Sequence, residues 1–188
     1  MNKQIFDRKN HRLKDYDYGT YGYYYVTICT YNKEKLLGSV VASDAPVAQN
    51  DIYECPVKVQ PTLIGEKVIE CWENIEKLNR NVKLDKFVLM PNHIHGIIIL
   101  ENSDEIVTTK KQFNFEIIED KNRRSLQGLI KDFKSVTTRF FKKNFNSNHS
   151  LWQASFFDEV IRSEAHYRSI ANYIINNPLQ WDLDKYYF

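Results

Sequence analysis

Cysteine is scarce in this chain: three residues in 188, at positions 29, 55 and 71, with no CxxC pair among them. That argues against a disulfide framework and against a thiolate zinc site. An excess of one charge is also missing. The 26 basic and 24 acidic residues leave a formal net charge of +2, too small to announce a polyanionic partner by itself. No apolar run approaches the roughly 18 residues of a membrane span, and the opening MNKQIFDRKNHRLKDYD lacks the apolar stretch of a signal peptide. The expectation is a cytoplasmic protein with no membrane partner. No internal repeat is visible.

What is present is core-forming material, 43% hydrophobic and 14% aromatic residues, enough at this length for one domain. Residues 1–19 read as a basic arm carrying Arg8, Lys9, Arg12 and Lys14, and 20–188 as a single domain. A charged, weakly patterned stretch at about 101–124 reads as an insertion in that domain.

Along the domain, YYYVTICTY at 23–31 has strand composition, and the proline-punctuated stretch 38–61 is consistent with a hairpin around a loop. Ile64, Val68, Cys71, Trp72, Ile75 and Leu78 recur at helical spacing behind Thr62 as N-cap. Residues 82–89 read as a second strand, joined by a Pro91-Asn92 turn to a third. Ser125 caps a helix whose expected buried stripe is Leu126, Leu129, Ile130, Phe133, Val136, Phe140 and Phe141. Its other face carries Lys131, Lys134, Arg139, Lys142 and Lys143. After an aromatic-rich stretch at 151–160, Ser163 opens a last helix that runs to about Asn176 and is ended by Pro178. Strand, hairpin, helix, strand, strand, helix, helix gives an α+β domain with helices packed on an antiparallel sheet.

Chemistry concentrates in VLMPNHIHGIIIL. Strand alternation puts His93 and His95 on one face with Ile97 and Ile99, so two imidazoles aim at the same spot. Such a pair is either a hydrogen-bonded pair at a sheet edge or two ligands of one metal ion, and the second needs a third ligand. On the last helix Tyr167, Ile170, Ala171 and Ile174 form the expected packing stripe, with Tyr173 at its flank and Asn177 one turn beyond. Tyr173 as an amphipathic edge residue and Asn177 as a helix-ending residue are the plainer readings. Together with the histidines they make a hard-leaning cation site beside a hydroxyl nucleophile.

MPNHIHGIII and LWQASFFDEVIRSEAHYRSIANYIINNPLQW, with HRLKDYDYGTYGYYYVTICTYNKEKLLG and LIGEKVIECWENI, resemble the REP-associated tyrosine transposases, single-tyrosine transposases of the His-hydrophobic-His nuclease superfamily. The resemblance covers most of the chain except about 42–56 and 101–124. It implies a ferredoxin-like antiparallel β-sheet with helices packed on it. It also implies His93, His95 and Asn177 as metal ligands and Tyr173 as the nucleophile that forms a 5′-phosphotyrosine. The expected cofactor is Mg2+ or Mn2+, since the site must also engage phosphate oxygens. The expected partner is single-stranded DNA with hairpin structure, its phosphates tracked by Arg8, Lys9, Arg12, Lys14, Lys131, Lys134 and Arg139. A monomer is expected, with a dimer as the alternative. Two other readings stay open: a hairpin-binding module without chemistry, and a replication-type nickase of the same superfamily.

Overall fold

The computed structural model describes residues 20–42, 57–101 and 125–183. The arm expected at 1–19 and, apart from Glu101, the insertion expected at about 101–124 lie outside the described residues. Across the described residues the architecture is mixed α/β, with two antiparallel sheets and three packed helices.

The main sheet contains β1 (Gly22–Cys29), β4 (Val82–Met90), β5 (His93–Leu100) and β6 (Phe157–Ile161), in the order β4-β5-β1-β6. All neighbouring strands in it are antiparallel. β2 (Gly38–Ala42) and β3 (Val57–Pro61) form the second sheet, the hairpin expected from 38–61. Three helices, α1 (Leu63–Leu78), α2 (Leu126–Phe145) and α3 (Glu164–Asn176), start at Thr62, Ser125 and Ser163. Each of these side chains accepts a hydrogen bond from the backbone N–H three residues on.

Alternation along β1 and β5 divides the core into two layers. Tyr24, Val26, Ile28, Ile94 and Ile98 pack with the apolar stripes of α1 and α2. Tyr25 and Ile97 turn to the other face and pack with Ile161 and with Ile170 and Ile174 of α3. Covered on both faces, β5 is almost wholly buried, which is why its sequence reads as a nearly continuous apolar run. Gly96 is needed for this close packing. A Cβ there would come within 2.3 Å of the Trp72 ring, so the glycine leaves room for the α1 indole against the sheet.

The structure departs from the sequence expectation at two places and extends it at a third. The aromatic-rich stretch contains an edge strand, β6, held by β1 through Thr27↔Phe157 to Tyr23↔Ile161. On α2, Val136 is 45% exposed, and Thr137 takes its place in the interior. The Thr137 hydroxyl donates to Phe133 O and accepts from Trp152 Nε1, so a polar residue fills an apolar stripe without an unmet hydrogen bond. The last α-helix ends at Asn176, just before Pro178, as expected, but the chain does not straighten there. Pro178 lacks the N–H for an α-ladder, but its fixed φ suits a tighter turn, and a 3-10 segment continues over Asn177–Leu183.

Candidate metal and nucleophile site

The β1–β5 register sets Thr27 opposite His95 and Cys29 opposite His93. Asn92, His93 and His95 are all fully buried, at 0% exposure. The Asn92 amide nitrogen donates to Lys33 O (3.1 Å), which turns its oxygen toward His93 Nδ1 at 2.8 Å. That nitrogen therefore donates, and His93 Nε2 is left as a lone pair. His95 Nδ1 lies 2.8 Å from both Tyr25 Oη and Thr27 Oγ1, and the Thr27 hydroxyl donates to Tyr25 Oη. With Nδ1–H donating to Thr27, His95 Nε2 also presents a lone pair.

The two Nε2 atoms are 3.0 Å apart. Facing lone pairs at that distance repel unless a cation or a proton sits between them. Two ligands about 2.1 Å from one ion and at right angles to each other are about 3 Å apart, so the pair fits two adjacent positions on a divalent ion. In the other tautomer of His95, Tyr25 donates to Nδ1 and Nε2–H closes the gap as a hydrogen bond. Among the described residues, no third His, Cys, Asp or Glu joins the pair.

α3 brings the phenol. Tyr173 Oη is 3.4 Å from His95 Nε2, its ring centre 5.2 Å from that imidazole and 6.4 Å from Tyr25. Asn177 is buried one turn further on, where the helix passes into the 3-10 segment, and its backbone N–H bonds Ile174 O. That segment carries Trp181, whose ring stands 6.1 Å from His93. Outside Trp181 a groove of about 600 Å³ runs between the β2–β3 hairpin and the 3-10 segment, lined by Lys35, Ser39, Pro91 and Pro178 among others.

Tyr25, Thr27 and Asn92 are the site residues that sequence reasoning missed. Their signal is the alternation of YYYVTIC, which puts Tyr25 and Thr27 on one face, but pairing them with His95 requires a register across nearly 70 residues. Tyr167, expected in the core, is only half-buried, and its hydroxyl donates to Asp85 at an irregularity in β4 between Leu84 and Phe87. That hydrogen bond, with burial adding to it, pushes the phenol up to about 12.

Of the basic residues, Arg8, Lys9, Arg12 and Lys14 lie outside the described residues. Lys131 and Arg139 are exposed on α2 and, with Lys134, Thr138, Lys142 and Ser150, line a shallow groove of about 420 Å³. Lys134 differs from the rest. Its ammonium donates to the carbonyls of Gln153 (2.6 Å) and Ala154 (3.0 Å), and burial pushes it down to about 8. It ties α2 to the approach to β6 and has less of its charge to offer a ligand than its neighbours.

A four-stranded antiparallel sheet with α1 and α2 on one face and α3 on the other has a counterpart in fold among solved structures. In fold the chain is similar to a REP-associated tyrosine transposase bound to a REP hairpin, with 16% identity over 93% of this chain and 76% of that one at a TM-score of 0.52. A putative transposase from Deinococcus radiodurans R1 aligns at 13% identity over 88% of this chain and 95% of that one, with a TM-score of 0.46. The chain belongs to the same family as an uncharacterized protein of Haemophilus influenzae (strain ATCC 51907 / DSM 11121 / KW20 / Rd), to which it is 34% identical over 99% of its own length and 96% of the relative's. No family model matches the chain.

Proposed function

We propose that this protein is a metal-dependent single-stranded DNA endonuclease and strand transferase, acting near hairpin sequences through a 5′-phosphotyrosine. The observation that carries the reading is the approach of Tyr173 Oη to His95 Nε2 at 3.4 Å, beside the 3.0 Å pair of imidazole nitrogens. The βαββαβ order of the main-sheet elements, with both crossover helices on one face, supports a ferredoxin-like assignment.

His93, His95 and Asn177 would hold Mg2+ or Mn2+. When bound, the ion would polarise phosphate oxygens and stabilise the charge of the transition state. The chain's own groups do the rest. Asn92, Tyr25 and Thr27 fix the two rings, as partners behind metal-ligating histidines do. The Tyr173 hydroxyl gives up its proton as its oxygen attacks phosphorus, the bond to the 3′-oxygen breaks, and that oxygen takes up a proton and leaves as the 3′-hydroxyl. Reversal by a second 3′-hydroxyl restores the phosphodiester and frees the phenol, so rejoining needs no nucleotide cofactor. The direction of cleavage follows the resemblance given above. Arg8, Lys9, Arg12, Lys14, Lys131 and Arg139 contact phosphates, and Lys134 mainly secures the strand entrance. Residues 20–188 form the catalytic domain of a monomer, with 1–19 as its DNA-binding arm.

The test is a denaturing gel. A 3′-labelled single strand containing a hairpin becomes protein-linked with Mg2+ or Mn2+ and not with chelator, and Tyr173→Phe removes the adduct altogether. A metal-independent adduct, or one that persists in Tyr173→Phe, sinks the mechanism. The complete burial of His93 and His95 favours a second reading, a hairpin-binding module without chemistry. That module would bind the same DNA and give no adduct under any condition.

A further inference from the structure

Beside the basic groove of α2 runs a line of aromatic rings that the proposed chemistry does not use. Tyr31 stacks on His149 with ring centres 5.0 Å apart at 27°. His149 meets Phe141 at 5.8 Å, and Phe141 stacks on Phe145 at 5.4 Å and 30°. Phe141 belongs to the core, whereas Tyr31 and Phe145 are 40% and 47% exposed and His149 is open to solvent. One edge of the ladder adjoins the basic groove, because Ser150, next to His149, lines the groove and lies 3.5 Å from the Thr138 hydroxyl.

The ladder is also fastened to the candidate site. Tyr31 opens a 3-10 turn, Tyr31–Lys33, in which Asn32 and Lys33 adopt positive φ. Asparagine adopts that conformation readily, but a lysine seldom does unless its surroundings impose it. Here Thr30 N–H bonds Asn92 O, Tyr31 N–H bonds Leu151 O, and the Asn92 side chain grips Lys33 O while orienting His93. No more than about 7 Å of extended chain separates Tyr31 from Cys29, the residue paired with His93.

Exposed, stacked rings alongside a cationic groove are the two components by which proteins hold unpaired nucleic acid: bases stack on the rings while the groove follows the phosphates. We propose that Tyr31 and His149 form a stacking platform for an unpaired base of the strand flanking the hairpin, with Lys131, Arg139 and Lys142 tracking the adjoining phosphates. The inference rests on the single-stranded substrate proposed above, and it names where the flank is gripped.

The test is binding without turnover, using the full chain with Tyr173→Phe in chelator. The probes are a DNA hairpin with single-stranded thymidine flanks carrying 2-aminopurine at successive positions, and the same hairpin without flanks. The expected result is quenching of 2-aminopurine at a defined flank position and a Kd for the flanked hairpin raised about tenfold or more by Tyr31→Ala with His149→Ala. Tyr31→Phe with His149→Phe, which keeps the rings, should bind like its parent and so separates lost stacking from lost folding. An alanine pair that binds the flanked hairpin as tightly as its parent, or that weakens both hairpins equally, overturns the platform, as does absence of quenching at every position. Quenching without any covalent adduct in the metal-containing assay supports the platform and counts against the nuclease reading alone.

Discussion

Asn92 uses both ends of a fully buried amide, one on Lys33 O and one on His93 Nδ1. It thereby fixes an imidazole tautomer and a surface turn together. Tyr25 and Thr27 hold the His95 ring in place from the neighbouring strand. The histidine pair was legible in the sequence because strand period alone puts i and i+2 on one face. Its supports were not, since nothing local joins residues 25 and 27 to 95. Tyr167 shows the converse, a residue assigned by helical period to the core whose ring packs at the core's edge while its hydroxyl tethers α3 to β4 through Asp85. Its phenol is raised to about 12, against about 10 for an unfolded tyrosine. Between those values the unfolded state binds fewer protons than the folded one, so stability falls as pH rises from about 10 to about 12. Tyr167→Phe should cost about 1 kcal/mol at pH 9 and show a shallower loss toward pH 12. Urea midpoints that decline in parallel for both proteins would deny the tether its role.

At the scale of elements, the caps and most of the stripes of the three helices are legible from the sequence at Thr62, Ser125 and Ser163, because capping chemistry is local. β6 escaped because five residues without clean alternation become a strand only when β1 offers an edge. Beyond the α3 end at Asn176, which Pro178 marks in the sequence, the 3-10 segment carries Trp181 to His93 and helps close the site. With both imidazoles at 0% exposure, a phosphate can reach them only if the rings packed against them shift, Tyr173 at His95 and Trp181 at His93. Trp181→Ala should lower stability by about 3 kcal/mol and make His93 several-fold more reactive toward diethyl pyrocarbonate, followed by peptide mass spectrometry against exposed His149. If His93 in the unaltered protein already reacts as fast as His149, the cover does not exist in solution.

For the molecule as a whole, a net charge of +2 makes any nucleic-acid affinity a matter of where charge sits. No helix among the described residues is long and apolar enough to cross a membrane. Cations gather on one face of α2 and in the first 14 residues, where Lys3, Arg8, Lys9, Arg12 and Lys14 stand. Deleting residues 1–14 should weaken binding of a flanked hairpin. It should also flatten the plot of log affinity against log salt, by about 0.7 for each single-strand phosphate that the arm neutralises. Titrations that keep the full slope after deletion would remove the arm from the interface.

The sequence by itself determined the capped helices, the apolar β5 run and the shared face of His93 and His95, because propensity, capping and alternation act over a few residues. The tertiary structure alone decided that Thr27 faces His95, that Tyr173 comes within 3.4 Å of the same ring and that Trp181 packs near His93. Those depend on strand register and on the seating of α3, which are set by burying two apolar layers on opposite faces of one sheet.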